Sequence, residues 1–381
     1  MTALLTAVNS VTTELEIEFP NLFNGTAISY YRGFELFGIS IYWYGVLITL
    51  GVILGYTYAH MRCKQFGLDK ERMFDVVFAA LIGGFLGARI YYCVFTTLDP
   101  NSGKDYNFIT MFTTIRDGGL AIYGGIIGAF LVGIVMCKLR KVNIRAMFDM
   151  ASLGFLIGQC IGRWGNFVNQ EAYGAVAPEG YLLGMTGTII SSKVEAGAVV
   201  HPCFLYESMW CLLGFVLLHF YSKKLRTYDG EIFLLYIAWY GLGRAFIEGL
   251  RTDSLMIGAT DIRVSQVIAA VTFVVAVVLF IVFKILTEKK NIPLWVNSEG
   301  WTEMQEQYRL EEENKTAKKK AKENEQAESI LAADADDIDE ISDDEVTDED
   351  EADEVTEEQD HAPEEEINED INENDNESED N

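Results

Sequence analysis

The sequence predicts an all-α polytopic membrane protein with seven transmembrane helices, the N-terminus outside, the C-terminus inside and a disordered acidic tail. Three observations carry that expectation. Seven windows stay apolar over close to the about 20 residues that a bilayer span needs. Basic residues alternate between few and many in successive loops. Charge is also divided sharply along the chain. The 381 residues carry a formal net charge of −28, yet from Thr302 onward 35 acidic residues stand against 6 basic ones. The first 301 residues are therefore close to neutral, and the acidity belongs to the tail.

The spans are expected near 36–59, 73–95, 119–137, 146–167, 203–220, 231–249 and 264–286. Arg32 alone precedes the first, and Arg62, Lys64, Lys70 and Arg72 follow it. Lys104 and Arg116 come next, then Lys138, Arg140, Lys141 and Arg145, then Lys193 alone. Lys223, Lys224 and Arg226 follow, then Arg251 and Arg263, and finally Lys284, Lys289 and Lys290. Loops rich in Lys and Arg stay in the cytoplasm, which sets the N-terminus outside. An odd number of spans then places the C-terminus inside. The first 30 residues lack a basic start, and Glu14, Glu16 and Glu18 break any apolar core, so no cleavable signal is expected.

Three segments result: an extracytoplasmic stretch over 1–35, a seven-span membrane domain over 36–301, and a cytoplasmic tail over 302–381. The tail opens on a charged, helix-prone run and becomes acidic low-complexity sequence, with too little apolar surface to fold. The six cysteines lack metal-type spacing and read as small buried hydrophobes. No metal or other cofactor is expected, and no nucleic acid partner.

With the orientation set, unusual polar groups from six spans fall at one level, the outer half of the membrane. They are Tyr42, Trp43 and Tyr44; Arg89; the run Asp117 to Gly125 with Tyr123; Arg163, Asn166, Asn169 and Glu171; His201, Tyr206 and Glu207; and Tyr240, Arg244, Glu248 and Arg251. Ionisable groups at such depth are costly and mark functional sites. Arg244, Glu248 and Arg251 stand at i, i+4 and i+7, one face of a helix, and Tyr240 extends it by a turn. Two arginines with one glutamate leave that face positive, and Arg163 adds a third guanidinium fork that matches phosphate oxygens. The competing reading is a set of intramembrane ion pairs that only hold helices together. Asp75 and Asp149, near inner ends, are expected to pair with loop bases.

The run Gly162-Arg163-Trp164-Gly165-Asn166-Phe167-Val168-Asn169-Gln170-Glu171-Ala172-Tyr173-Gly174 resembles the signature of bacterial prolipoprotein diacylglyceryl transferases. Trp43-Tyr44-Gly45, the segment from Asp117 to Gly125, His201-Pro202 with Leu205-Tyr206-Glu207, and Gly243 to Arg251 extend the likeness over roughly 30–290. The resemblance implies an enzyme of the bacterial cytoplasmic membrane that takes phosphatidylglycerol and preprolipoprotein lipobox peptides as substrates. It would move the diacylglyceryl group to the lipobox cysteine, forming a thioether and releasing glycerol 1-phosphate. On this likeness Arg163 and Arg244 take the lipid phosphate, with Arg251 at the mouth. Asn166, Asn169 and Tyr44 bond the head group, Glu171 and Glu248 orient the arginines, and Tyr240 lines the substrate site.

The sequence departs from that family at Tyr123, where many members carry a histidine assigned as the base. A free tyrosine ionises near pH 10 and is a weak base at neutrality. Tyr123 and His201 both stand as catalytic candidates, His201 having a second reading as the organiser of its loop. The substrate thiol, which ionises near pH 8.5, could also react without a dedicated base. A lipid-handling transporter would need two matching halves with interrupted helices, and no such repeat is visible.

Overall fold

The computed structural model describes residues 11–22, 25–100, 102–114, 118–195, 197–252 and 263–339, with side chains to 326. Two compact units make up the chain, Met1–Arg309 and Leu310–Asn381. The first contains β1 (Glu14–Glu18), β2 (Ile28–Tyr31), β3 (Gly33–Leu36) and β4 (Ile39–Tyr42), then α1 (Trp43–Arg62), α2 (Lys70–Leu98) and a short α3 (Phe108–Thr113). Next come α4 (Ile122–Leu139), α5 (Ile144–Asn169), β5 (Thr186–Gly187), a one-turn α6 (Thr188–Ser191) and α7 (Cys203–Lys224). Helices α8 (Glu231–Ile247), α9 (Val264–Lys290) and α10 (Glu299–Asp339) complete the order.

The protein is mostly helical but not all-α, which corrects the first expectation. Strands β2, β1 and β5 form one antiparallel sheet, and β3 pairs with β4 as a hairpin. The segment Glu14-Leu15-Glu16-Ile17-Glu18 alternates acid with apolar residue, which is strand periodicity. Accordingly Leu15 and Ile17 are fully buried. In the hairpin, Phe37 and Gly38 both adopt positive φ, 51° and 75°. That is the two-residue turn favoured between antiparallel strands, and it delays the first helix from the expected 36 to Trp43.

Among the described residues, six helices are long and apolar enough to cross a membrane: those of Trp43–Phe66, Lys70–Leu98, Ile122–Leu139, Ile144–Asn169 and Cys203–Lys224, and the one beginning at Val264. The stretch expected as a span at 231–249 is the 17-residue α8. At 1.5 Å per residue it reaches about 26 Å, short of the about 30 Å hydrocarbon core. It shortens because the chain tightens into a 3-10 turn at Glu248–Leu250. Outward faces are apolar, as on α9, where Val271, Val274, Val275 and Val278 are exposed, a surface suited to lipid rather than water.

Helix α1 packs along α5 and α2 along α4, while α5 also meets α7 and α8, and α8 meets α9. The α2–α4 pair is close enough that a Cβ on Gly124 or Gly128 would overlap the α2 backbone, the small-residue contact common between membrane helices. Asp69 caps α2 by accepting from Arg72 N at 3.0 Å, and Asn143 caps α5 through Ala146 N at 3.1 Å. The cap of α8 comes from another helix: Asp149 accepts from Gly230 N at 2.8 Å and Phe233 N at 3.0 Å. The expected pairing of the inner acids is present, Asp149 with Arg226 at 3.7 Å and Asp75 with Arg140. Five of the six cysteines are buried and Cys160 is half-buried; all are free thiols.

After α9 the chain lies across three loops on the side where α1, α4 and α7 end. Trp295 donates from N to Asp229 Oδ2 at 2.7 Å and from Nε1 to Gly67 O at 3.0 Å. Burial raises the Asp229 carboxyl above its ordinary range. Trp301 is buried between Trp295 and Tyr308, and Tyr308 donates to Lys141 O at 2.9 Å. Trp301→Ala is expected to destabilise the fold by about 3 kcal/mol, lowering the unfolding midpoint in detergent. An unchanged midpoint would remove this segment from the folded body. The tail expected to be largely disordered over 302–381 is instead helical as far as Asp339, and its remainder, 340–381, lies outside the described residues, as do Arg116, Asp117 and 253–262.

Candidate active site

Three helix ends meet where the polar motifs converge: the last turns of α5, the first turn of α7 and the last turn of α8. Glu207, one turn into α7, stands at their centre. Its Oε2 lies 2.5 Å from Arg163 Nε. Its Oε1 lies 3.2 Å from Arg244 Nη1 and 3.5 Å from Arg251 Nη1. Glu248 adds a second carboxylate, with Oε2 2.7 Å from Arg244 Nη2 and 3.9 Å from Arg251 Nε. The cluster is shielded from solvent. Glu248 is 2% exposed, Glu207 6% and Arg251 9%, so its charges act in a low-dielectric setting. Three guanidiniums against two carboxylates leave one net positive charge. Arg163 engages Glu207 through Nε and makes no other hydrogen bond or ion pair among the described residues.

The expected single helical face over Arg244, Glu248 and Arg251 does not persist. The helix ends at Ile247, Glu248–Leu250 is a 3-10 turn, and Arg251 is extended at φ −75°, ψ 146°. Arg251 still reaches both carboxylates because its backbone is tied elsewhere. Gly174 bridges to Arg251, and Ala175 N donates to Leu250 O at 2.6 Å. Glu248 is further held by Ser265 Oγ at 2.5 Å and through its carbonyl by Arg263.

Past α5 the chain turns back on itself, with Gln170 and Ala172 at φ 49° and 55°. That reversal folds Glu171 toward the helix it has just left. Glu171 Oε1 accepts from Asn166 Nδ2 at 3.0 Å and Asn169 Nδ2 at 3.2 Å. Glu171 thus orients the two asparagines, whereas the sequence suggested the arginines. Gln170 is fully buried, donating to Glu16 O at 2.8 Å and Tyr30 OH at 3.0 Å and accepting from Ile189 N at 2.8 Å. Burial raises the Tyr30 phenol above its usual range. Tyr44, in the first turn of α1, lies against Gly165 so closely that a Cβ there would strike its ring. Tyr240 precedes Arg244 by one turn and stacks on Tyr236 at 6.2 Å.

His201 and Tyr123 are the other two catalytic candidates. His201 Nδ1 lies 3.1 Å from Tyr206 OH, which lies 2.8 Å from Tyr181 OH, and Tyr181 packs edge-on against the imidazole at 4.9 Å. Tyr123 sits in the first turn of α4, 63% exposed. Arg89, expected at the same level, is 1% exposed and donates to the carbonyls of Met111, Gly118 and Gly119 and to Thr114 Oγ1. It organises the loop before α4. Sequence reasoning quoted Glu207 in a motif without giving it a site role. A carboxylate in the first turn of an otherwise apolar helix was the available signal.

The fold is that of a polytopic membrane protein, with three arginines gathered on two buried carboxylates where three helix ends meet. The family model for prolipoprotein diacylglyceryl transferase matches residues 33–282. Curated relatives named phosphatidylglycerol–prolipoprotein diacylglyceryl transferase include one from Staphylococcus saprophyticus, 41% identical over 254 residues, covering 66% of this chain and 88% of the relative. One from Staphylococcus haemolyticus is 41% identical over 250 residues, covering 65% and 86%. One from Staphylococcus aureus is 38% identical over 264 residues, covering 69% and 91%. The chain belongs to the prolipoprotein diacylglyceryl transferase family, and it is a transferase of that class.

Proposed function

We propose that the protein transfers the diacylglyceryl group of phosphatidylglycerol to the lipobox cysteine of preprolipoproteins, the first step of lipoprotein maturation. The thiol sulfur attacks the glycerol methylene that carries the phosphate ester. The carbon–sulfur bond of a thioether forms, the carbon–oxygen bond to phosphate breaks, and glycerol 1-phosphate leaves with the bonding electrons. The observation that carries this reading is the three-arginine cluster around Glu207. Its net charge suits a phosphodiester becoming a more negative monoester, and charge held in advance at that place stabilises the transition state.

Arg163 and Arg244 would hold the phosphate, with Arg251 at the mouth. The amides of Asn166 and Asn169, already oriented by Glu171, would bond the head group together with Tyr44, and Tyr240 would line the same wall. Glu248 would fix Arg244. Tyr123 and His201 are the two proton acceptors to test. In this reading α8, lengthened to about 32 Å by the 3-10 turn of Glu248–Leu250, crosses as a seventh span, residues 36–301 form the catalytic domain, and 1–35 lie outside. The tail of 302–381 is cytoplasmic, and the site faces the outer half of the bacterial cytoplasmic membrane. The loop charges support that orientation.

The test uses purified full-length protein, phosphatidylglycerol and a synthetic lipobox peptide. Mass spectrometry is expected to find the diacylglyceryl mass on the peptide cysteine. Retained phosphatidylglycerol without any adduct would overturn the transfer reading in favour of lipid handling. In the same assay Tyr123→Phe is expected to lower the rate by about 100-fold, the usual worth of a positioned acid–base group. A wild-type rate in that variant would remove Tyr123 from the mechanism and leave His201→Gln as the variant to measure.

A further inference from the structure

A polar cavity lies far from the arginine cluster around Glu207. Helix α1 begins beside the cluster with Tyr44 and ends near His60, and at 1.5 Å per residue those two are about 24 Å apart along the axis. The cavity, of about 370 Å³, opens at that far end, where α1 finishes, α2 begins and α4 finishes. Three helices long and apolar enough to cross a membrane thus end around it, which sets it at the depth of lipid head groups in the leaflet opposite the cluster.

Its walls carry Lys70 and Arg140 as cations, Glu71 and Asp75 as anions, and Tyr56 and Phe74 as an aromatic floor. Arg140 pairs with Asp75. Lys70 and Glu71, consecutive at the start of α2, are exposed, and neither makes an ion pair or side-chain hydrogen bond among the described residues. Tyr56 meets Phe74 edge-on at 5.8 Å and lies 3.3 Å from His60 Nδ1 through its hydroxyl. The rim is pinned from behind. Arg72 donates to Arg140 O at 3.1 Å while its guanidinium lies 3.7 Å over the Tyr308 ring.

We infer that this cavity is a second phospholipid site, holding the head group of a lipid in the leaflet opposite the arginine cluster. Lys70 and the edge of the Arg140 guanidinium take the phosphate. Glu71 accepts from the hydroxyl or ammonium group at the tip of the head group, and the Tyr56–Phe74 floor covers the glycerol and first methylenes. The charge balance argues for lipid over a free anion. Two cations against two carboxylates give little net attraction for a small phosphate, whereas a head group with separated acceptor and donor ends engages both. Volume and mixed lining fall within the range of small-molecule sites. The site is separate from the transfer chemistry, and its failure leaves the proposed reaction untouched.

The test counts bound lipid by native mass spectrometry during stepwise delipidation of the full chain from phosphatidylglycerol nanodiscs. All samples carry Arg163→Ala to weaken retention at the arginine cluster. Lys70→Glu is expected to cut the remaining occupancy by about tenfold, a phosphate contact being replaced by repulsion, while Lys70→Arg retains it. In the otherwise wild-type chain, Lys70→Glu is expected to leave transfer unchanged. Equal lipid retention in Lys70→Glu and its parent would overturn the site. Displacement of the retained lipid by soluble glycerophosphate at equal concentration would overturn its assignment to lipid.

Discussion

Glu207→Ala is expected to abolish transfer and to destabilise the protein, because one carboxylate holds three guanidiniums. Arg163, Arg244 and Arg251 all lie within 3.5 Å of it. Its removal leaves one buried and two partly exposed cations to share Glu248, which reaches Arg244 and Arg251 but not Arg163. Breaking a buried pair from one side costs about 3–5 kcal/mol, enough to shift a folding equilibrium by about 100- to 4,000-fold. Glu207→Gln is the sharper variant, since it keeps volume and shape. The amide can still accept from one arginine, but its NH2 group points a donor at another. The cluster also gains one positive charge, so affinity for phosphatidylglycerol should hold or tighten. The transfer rate should nevertheless fall by about 100-fold, the scale of a roughly 1 Å misplacement of a catalytic group. Unchanged or tighter lipid binding with a slower chemical step separates positioning from binding. Wild-type rates and melting in both variants would show that the cluster does not depend on Glu207.

The sequence made the helices legible and left their ends obscure. Apolar runs of about 20 residues are a composition signal, and five observed spans fall within a few residues of their expected positions. The start of the first span was missed because the β3–β4 hairpin is nearly as apolar as the helix it precedes, and its turn depends on left-handed Phe37 and Gly38. Strand β1 is written in the Glu-Leu-Glu-Ile-Glu alternation, whose acids also argue against a signal peptide. At the site, the residues of three helix ends were legible, and their partners were not. Spacing cannot show that Glu171 turns back on two asparagines, since that follows from positive φ at Gln170 and Ala172. Nor can it show that Glu207, whose nearest guanidinium partner in sequence is 37 residues away, binds all three arginines. The packing of Trp295, Trp301 and Tyr308 on one another is not legible in the sequence because it follows neither helical nor strand periodicity.

Arg244→Lys is expected to be nearly as damaging to transfer as Arg244→Ala, although it conserves charge. One planar guanidinium here spans two carboxylates, with Nη1 toward Glu207 at 3.2 Å and Nη2 toward Glu248 at 2.7 Å. A lysine ammonium is a compact point charge on a flexible stem and cannot hold that fork. The lysine variant keeps the cluster's net charge, so folding and lipid retention should stay close to wild type, while transfer drops by about 100- to 1,000-fold, the range for losing one preorganised donor. The alanine variant removes the charge as well, making the five-residue cluster neutral, and should lose lipid affinity in addition to rate. The two variants therefore separate two properties of one side chain: the charge that retains the phosphate and the geometry that stabilises it as the ester bond breaks. Single-turnover transfer at saturating phosphatidylglycerol reads the second property alone. A lysine variant turning over at the wild-type rate would mean that charge suffices at position 244, and would pass the positioning role to Arg163.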